Sequence, residues 1–125
     1  DERARLALVR TPSGVFLPGG GIEGAESVEL AIRRESLEEC GLFVRVLDWQ
    51  AHSIQFVLSV TEDREFEKHC SFREAALEPG RGQSSEADHA LFWGTAREAR
   101  GLLAHGSQRW AVERWCEHAG VAQTE

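Results

Sequence analysis

The feature that most constrains this chain is the run from Pro18 to Leu42, where three consecutive glycines lead into a helix-forming segment that ends in clustered glutamates. Gly19, Gly20 and Gly21 leave the backbone free to adopt positive φ and to approach a ligand closely. From about Glu26 to Cys40 the residues are good helix formers, and Gly41 stands where a left-handed C-terminal cap is wanted. In that helix Glu35, Glu38 and Glu39 fall at i, i+3 and i+4, so their carboxylates share one face of the last turns. One or two turns earlier the same face carries Val28, Ala31 and Ile32. The acids therefore prolong an apolar stripe, whereas a merely solvated acidic face lies opposite one. Anions side by side repel, and a helix C-terminus disfavours them further. Hard divalent cations with oxygen ligands supply the missing compensation.

The 125 residues are the length of one ordinary domain, long enough to bury a core without disulfides or structural metal. A formal net charge of −7 repels polyanions, so a nucleic-acid polymer is not expected as a partner, while a small phosphate ester is compatible if the acids hold metal. No apolar run approaches the roughly 20 residues of a membrane helix. Cys40, Cys70 and Cys116 are odd in number and widely spaced, as expected of reduced thiols that pack in a cytoplasmic protein. The chain holds no methionine and opens at Asp1, so its native start is expected to lie upstream.

Along the chain, Leu6 to Val9 reads as a strand, followed by a turn over Arg10 to Gly14 and a second short strand at Val15 to Leu17. Strands are expected over Phe43 to Leu47, Ser53 to Val60, Cys70 to Leu77 and Ala90 to Trp93, with polar Thr61 to His69 as a separator. Glu78 to Glu86 has the composition of a mobile loop. Thr95 and Glu98 form a capping box for a helix running to about Ala104, and Ser107 is expected to cap a last helix carrying Trp110, Ala111, Trp115 and Ala119. This is an α/β pattern, read as a mixed sheet covered by helices.

Gly20, Glu26 and the string Arg34-Glu35-Ser36-Leu37-Glu38-Glu39-Cys40-Gly41-Leu42 sit at fixed offsets that are similar to the Nudix box, G-x5-E-x7-R-E-U-x-E-E-x-G-U, with U an apolar residue. Every charged and glycine position is filled, and Ser36 at the first U position is the one departure. The resemblance implies the Nudix fold, an α/β/α sandwich around a mixed β-sheet over residues 1–125. It also implies a pyrophosphohydrolase that cleaves a nucleoside diphosphate linked to another moiety, such as a nucleotide sugar or a nucleoside triphosphate. By the same resemblance Glu35, Glu38 and Glu39 ligate Mg²⁺, with Mn²⁺ as a substitute, and the backbone carbonyl at Gly19 or Gly20 adds an oxygen. Glu35, Arg34 and Glu38 are the expected catalytic residues, with Arg34 pairing Glu38 at i+4. A homodimer is expected from resemblance, with Trp110 and Trp115 as candidate contacts.

Substrate choice lies outside the box. Glu23 and Glu26 are read as charges near the positive end of the helix dipole. Glu86 and Asp88 are candidates for a base or further metal ligand from a distant loop, and His69 and His89 are the histidines placed to titrate near neutral pH. Phe56, Phe72, Phe16 and Trp93 are candidates for stacking on a base, and Glu86, Phe56 and Trp93 are the expected substrate contacts. The proline and tyrosine that mark two Nudix subgroups downstream of the box are missing around Phe56 to Ser59. The alternative is a non-catalytic Nudix-fold module that senses a nucleotide. Such modules often lose box carboxylates, and none is lost here.

Overall fold

The computed structural model describes residues 5–59 and 64–121, with the side chains of 55–68 outside that description. The elements are β1 (Leu6–Thr11), β2 (Gly14–Phe16), α1 (Val28–Cys40), β3 (Val44–Ser59), β4 (Arg64–Leu77), β5 (Ala90–Gly94), α2 (Ala96–Leu102) and α3 (Gly106–Ala119). β1 lies between β2 and β5, while β3 and β4 form a long hairpin ladder. All three of these ladders are antiparallel, and the parallel pairing among the described residues is the bridge from Val15 to Leu103.

The alternation of β1 builds the sandwich. Side chains of a strand point to opposite faces in turn, and β1 is apolar on both. Leu8, with Leu6 beside it, packs into a cluster with Ala96, Ala99, Val112 and Cys116 of α2 and α3. Ala7 and Val9 face the other way, into a cluster with Ile32 and Cys40 of α1, Leu42 and Val44. Helices therefore cover both faces of the strand layer, as expected for the α/β sandwich. Cys40 and Cys116 are free and buried, in keeping with a packing role.

Local chemistry sets the helix ends. α1 starts one residue after Ser27, whose hydroxyl accepts from the Leu30 amide, rather than at Glu26. Its C-cap Gly41 adopts the left-handed conformation expected of it, with φ of 67°. Thr95 and Glu98 form the capping box, yet α2 ends at Leu102, short of Ala104. Ser107 does not cap α3: the N-cap is His105, and Ser107 lies buried within the first turn. The separate strands expected around residues 43–60 are one strand. Val46 pairs with Ala75 and Gln50 with Arg73, so residues 47–49 stand opposite Glu74 alone. This bulge re-aims its neighbours: Trp49 reaches His118 on α3 with ring centroids 6.0 Å apart, and Glu74 accepts from the Trp115 indole at 2.8 Å. Trp115 thus packs within its own chain. β4 resumes at Arg64, inside the expected polar separator, and Val60 to Asp63 lie outside the described residues.

Candidate active site

The glycine run folds back over the C-terminal half of α1. A Cβ built on Gly20 would sit 2.7 Å from the Glu35 carboxylate carbon and one of its oxygens, so a side chain there would push the Glu35 carboxylate from its place. The Gly19 amide donates to Glu39 Oε1 at 2.7 Å. Arg34 fastens the other side: Nε donates to Glu26 Oε2 at 2.7 Å, Nη1 to Glu35 Oε1 at 2.6 Å, and Nη2 to the Gly21 carbonyl at 2.8 Å. The expected pairing with Glu38 is present but longer, at 3.3 Å, and Glu23 Oε2 stands 3.6 Å from Nη1. One guanidinium thus ties the loop to the helix. Glu26 also accepts from the Glu23 amide at 2.9 Å, closing the loop on itself before the helix begins.

The electrostatics follow from this arrangement. Hydrogen bonds to Glu26 and Glu35 drive the Arg34 pKa upward, so the guanidinium stays charged, and they hold the Glu26 carboxyl below its ordinary value. Glu39 differs, because its side chain is only 12% exposed. Burial pushes its carboxyl upward and the neighbouring Glu35 charge adds to this, against the Gly19 amide and His89, which favour the anion. Ser36 is also buried, at an otherwise apolar position of the same helix.

The segment Glu78 to Glu86, expected to be a mobile loop, is tied to the end of α1. The Gly82 amide donates to the Gly41 carbonyl at 2.9 Å, and the Ser85 amide and Ser84 Oγ each donate to the Glu38 carbonyl at 2.8 Å. These donors satisfy carbonyls that a helix end otherwise leaves open. The anchored loop then brings Glu86, Asp88 and His89 together, one potential ligand atom of each lying within 4.8 Å of the others. Asp88 Oδ1 is 2.8 Å from His89 Nδ1, and His89 Nε2 is 3.5 Å from Glu39 Oε2. The Asp88 partner, then the nearby Glu39, raise the His89 pKa. His89 is thus a further link between loop and helix, a role that the sequence, which marked it only as able to titrate near neutral pH, did not reveal.

Beside this site opens a cleft of about 1110 Å³ bordered by Gly20, Glu39, His89, Trp93, Phe72 and Arg73. Trp93 is 40% exposed there. Phe16 and Asp88 also border it, whereas the Phe56 side chain lies outside the described residues. Arg73 carried no sequence signal, being one cation on an irregular strand. Its Nε is shielded from solvent with no hydrogen-bond partner, an arrangement that costs about 1–3 kcal/mol.

A glycine loop seated on a carboxylate-bearing helix, between strand layers covered on both faces by helices, is the layout of a Nudix domain. The NUDIX domain family model matches residues 1–116, and the chain belongs to that family. It is thereby placed in the broad class of pyrophosphohydrolases that work with a divalent metal. No curated protein matches the chain. No helix among the described residues is long and apolar enough to cross a membrane.

Proposed function

We propose that the chain is a Mg²⁺-dependent hydrolase of a small nucleoside diphosphate derivative, such as a nucleotide sugar or a nucleoside triphosphate. The observation that carries this is the Gly20 cradle. A glycine is held against the Glu35 carboxylate where any side chain would intrude, beside Glu38 and Glu39, in an all-oxygen donor set suited to a hard cation. Glu35, Glu38, Glu39 and the Gly20 carbonyl would hold the ion, with Mn²⁺ as a substitute. When bound, it supplies charge neutralisation for the diphosphate and a lowered pKa for water.

The chain's own residues do the rest. Arg34 binds no substrate in this reading; it fixes Glu35 and Glu38 in register with the glycine loop and offsets their mutual repulsion. The Gly19 amide and His89 Nε2 orient the two oxygens of Glu39, and Asp88 sets the His89 ring by holding Nδ1. Glu86 stands within reach of the same cluster as a further ligand or base. Trp93 and Phe72 offer faces on which a base stacks, and the Arg73 guanidinium brings a positive charge to the border of the cleft, where a diphosphate needs one.

The test is a panel of nucleoside triphosphates, nucleotide sugars, ADP-ribose and dinucleoside polyphosphates, resolved by product chromatography with Mg²⁺, with Mn²⁺ and with EDTA. Expected is cleavage between the phosphates of at least one compound, abolished by EDTA. Nucleotide binding without turnover would replace the enzyme with a sensing module, and full activity in chelator would remove the metal. A cytoplasmic, homodimeric protein completes the proposal. Light scattering that gives a monomer across micromolar concentrations would remove the dimer.

A further inference from the structure

His52 on β3 and His69 on β4 meet on the exposed surface of the long hairpin. The ladder pairs His52 with Ser71 and Ile54 with His69, so the two imidazoles stand diagonally on one face. His52 Nε2 lies 3.2 Å from His69 Nδ1, and Ser71 Oγ lies 3.5 Å from His52 Nδ1. None of these groups is a carboxylate of α1, although His69 and Ser71 border the same cleft as Glu39.

We propose that His52 and His69 form a binding site for a borderline divalent transition ion, with Zn²⁺ as the reference case. Two Zn–N bonds of about 2.0–2.1 Å at a tetrahedral angle hold their nitrogens roughly 3.3 Å apart. The imidazoles already stand near that separation, so chelation asks the two rings to turn toward a common point and leaves the spacing of the strands as it is. The backbone pair Ser53–Cys70 lies between the rows that carry the two rings, and the ladder on either side of it fixes their spacing.

One pair of tautomers suits this assignment. In it His52 Nδ1–H donates to the Ser71 hydroxyl, 3.5 Å away, which leaves the Nε2 lone pair toward His69. In the same pair, before an ion binds, His69 Nδ1–H donates to that lone pair at 3.2 Å. Ion binding displaces this proton to His69 Nε2; the ring stays neutral, no proton is lost, and both facing nitrogens become ligands. Water fills the remaining positions. Imidazole donors suit Zn²⁺, Cu²⁺ and Ni²⁺, whereas Mg²⁺ requires oxygen. The donors at the two places in the molecule therefore sort ions by type.

The experiment is a Zn²⁺ titration of the full chain in saturating Mg²⁺, read by ¹⁵N NMR of the histidine rings and by calorimetry. Expected is a joint shift of the His52 and His69 resonances that saturates at one ion per chain, with the His69 proton relocating from Nδ1 to Nε2, and no shift with Mg²⁺ alone. His52→Gln and His69→Gln should each weaken this binding at least tenfold, Ser71→Ala less, and His118→Gln not at all. Zn²⁺ binding that leaves both ring signals unmoved, or that persists at wild-type affinity in either glutamine variant, would overturn the proposal. The ring signals of the unmodified chain decide the matter even if a variant fails to fold.

Discussion

Gly41→Ala should be the most damaging single-methyl change outside the carboxylate site. Gly41 has φ of 67°, and placing a side chain in the left-handed region costs about 1–2 kcal/mol. The added Cβ would also stand 2.7 Å from the Gly82 carbonyl oxygen and 3.3 Å from the Ser84 amide nitrogen, both backbone atoms. Relief requires the 82–84 segment to withdraw, which weakens the Gly82 to Gly41 hydrogen bond and those from Ser84 and Ser85 to Glu38. With about 1 kcal/mol net for a typical bond, the loss is roughly 2–4 kcal/mol. At about 3–6 °C per kcal/mol for a domain of this size, Tm should fall by roughly 10 °C. Activity should fall with it, because the displaced segment carries Glu86, Asp88 and His89. The matched control is Gly101→Ala, at a position with open space and no positive φ inside α2, which should stabilise by about 0.5–1 kcal/mol. Urea and thermal unfolding of both variants check the pair. A Gly41→Ala protein within about 0.5 kcal/mol of wild type, a range typical of neutral surface changes, would refute the view that α1 and the loop are locked together through this cap.

Other consequences are more local. Thr95→Ala should cost about 1 kcal/mol by removing the α2 cap, checked by urea unfolding. The backbone and side chain of Thr95 hold the Glu98 carboxyl below its ordinary value. Its stabilisation is therefore complete above the unfolded value of 4.5 and is lost as pH falls through the lower folded one, so Glu98→Gln should flatten the acid limb of the stability curve. Arg73→Met keeps the packed stem and removes a shielded donor that has no partner. Stability should hold or rise while KM on an identified substrate rises about tenfold, and an unchanged KM would separate Arg73 from the substrate.

Much of the fold was legible because its causes are local. The Gly41 cap, the Thr95–Glu98 box and the alternation of Leu6, Ala7, Leu8 and Val9 act between near neighbours, and the box offsets place the glutamates on one helical face. The parts missed depend on distant partners. Asp48 and Gln50 interrupt an apolar pattern, yet the strand continues because a bulge opposite Glu74 absorbs residues 47–49. Ser107 has the composition of a cap but lies buried within the first turn of α3, which leaves His105 at the N-cap. The segment Glu78 to Glu86 has loop composition; nothing local reveals that its donors meet the open carbonyls of α1. For the same reason Arg73 became a candidate only once the cleft was placed beside it, and His89, read from the sequence only as a histidine able to titrate, gained its partner only once Glu39 stood beside it.

Glu35→Gln and Glu39→Gln, with Glu117→Gln on α3 as control, test most directly whether the clustered carboxylates hold a catalytic metal. The amide preserves shape, and Arg34 keeps Glu26 and Glu38 as partners when Glu35 loses its charge. Mn²⁺ binding and kcat should be measured on the same preparations of each variant, with metal-free Tm alongside. Expected for both box variants is weakened Mn²⁺ binding and a drop in kcat of roughly 100-fold or more, about 2.7 kcal/mol in the barrier. Their metal-free Tm should hold or rise, and Glu117→Gln should match wild type throughout. Box variants that bind Mn²⁺ and turn over a verified substrate as wild type does would contradict the metal assignment.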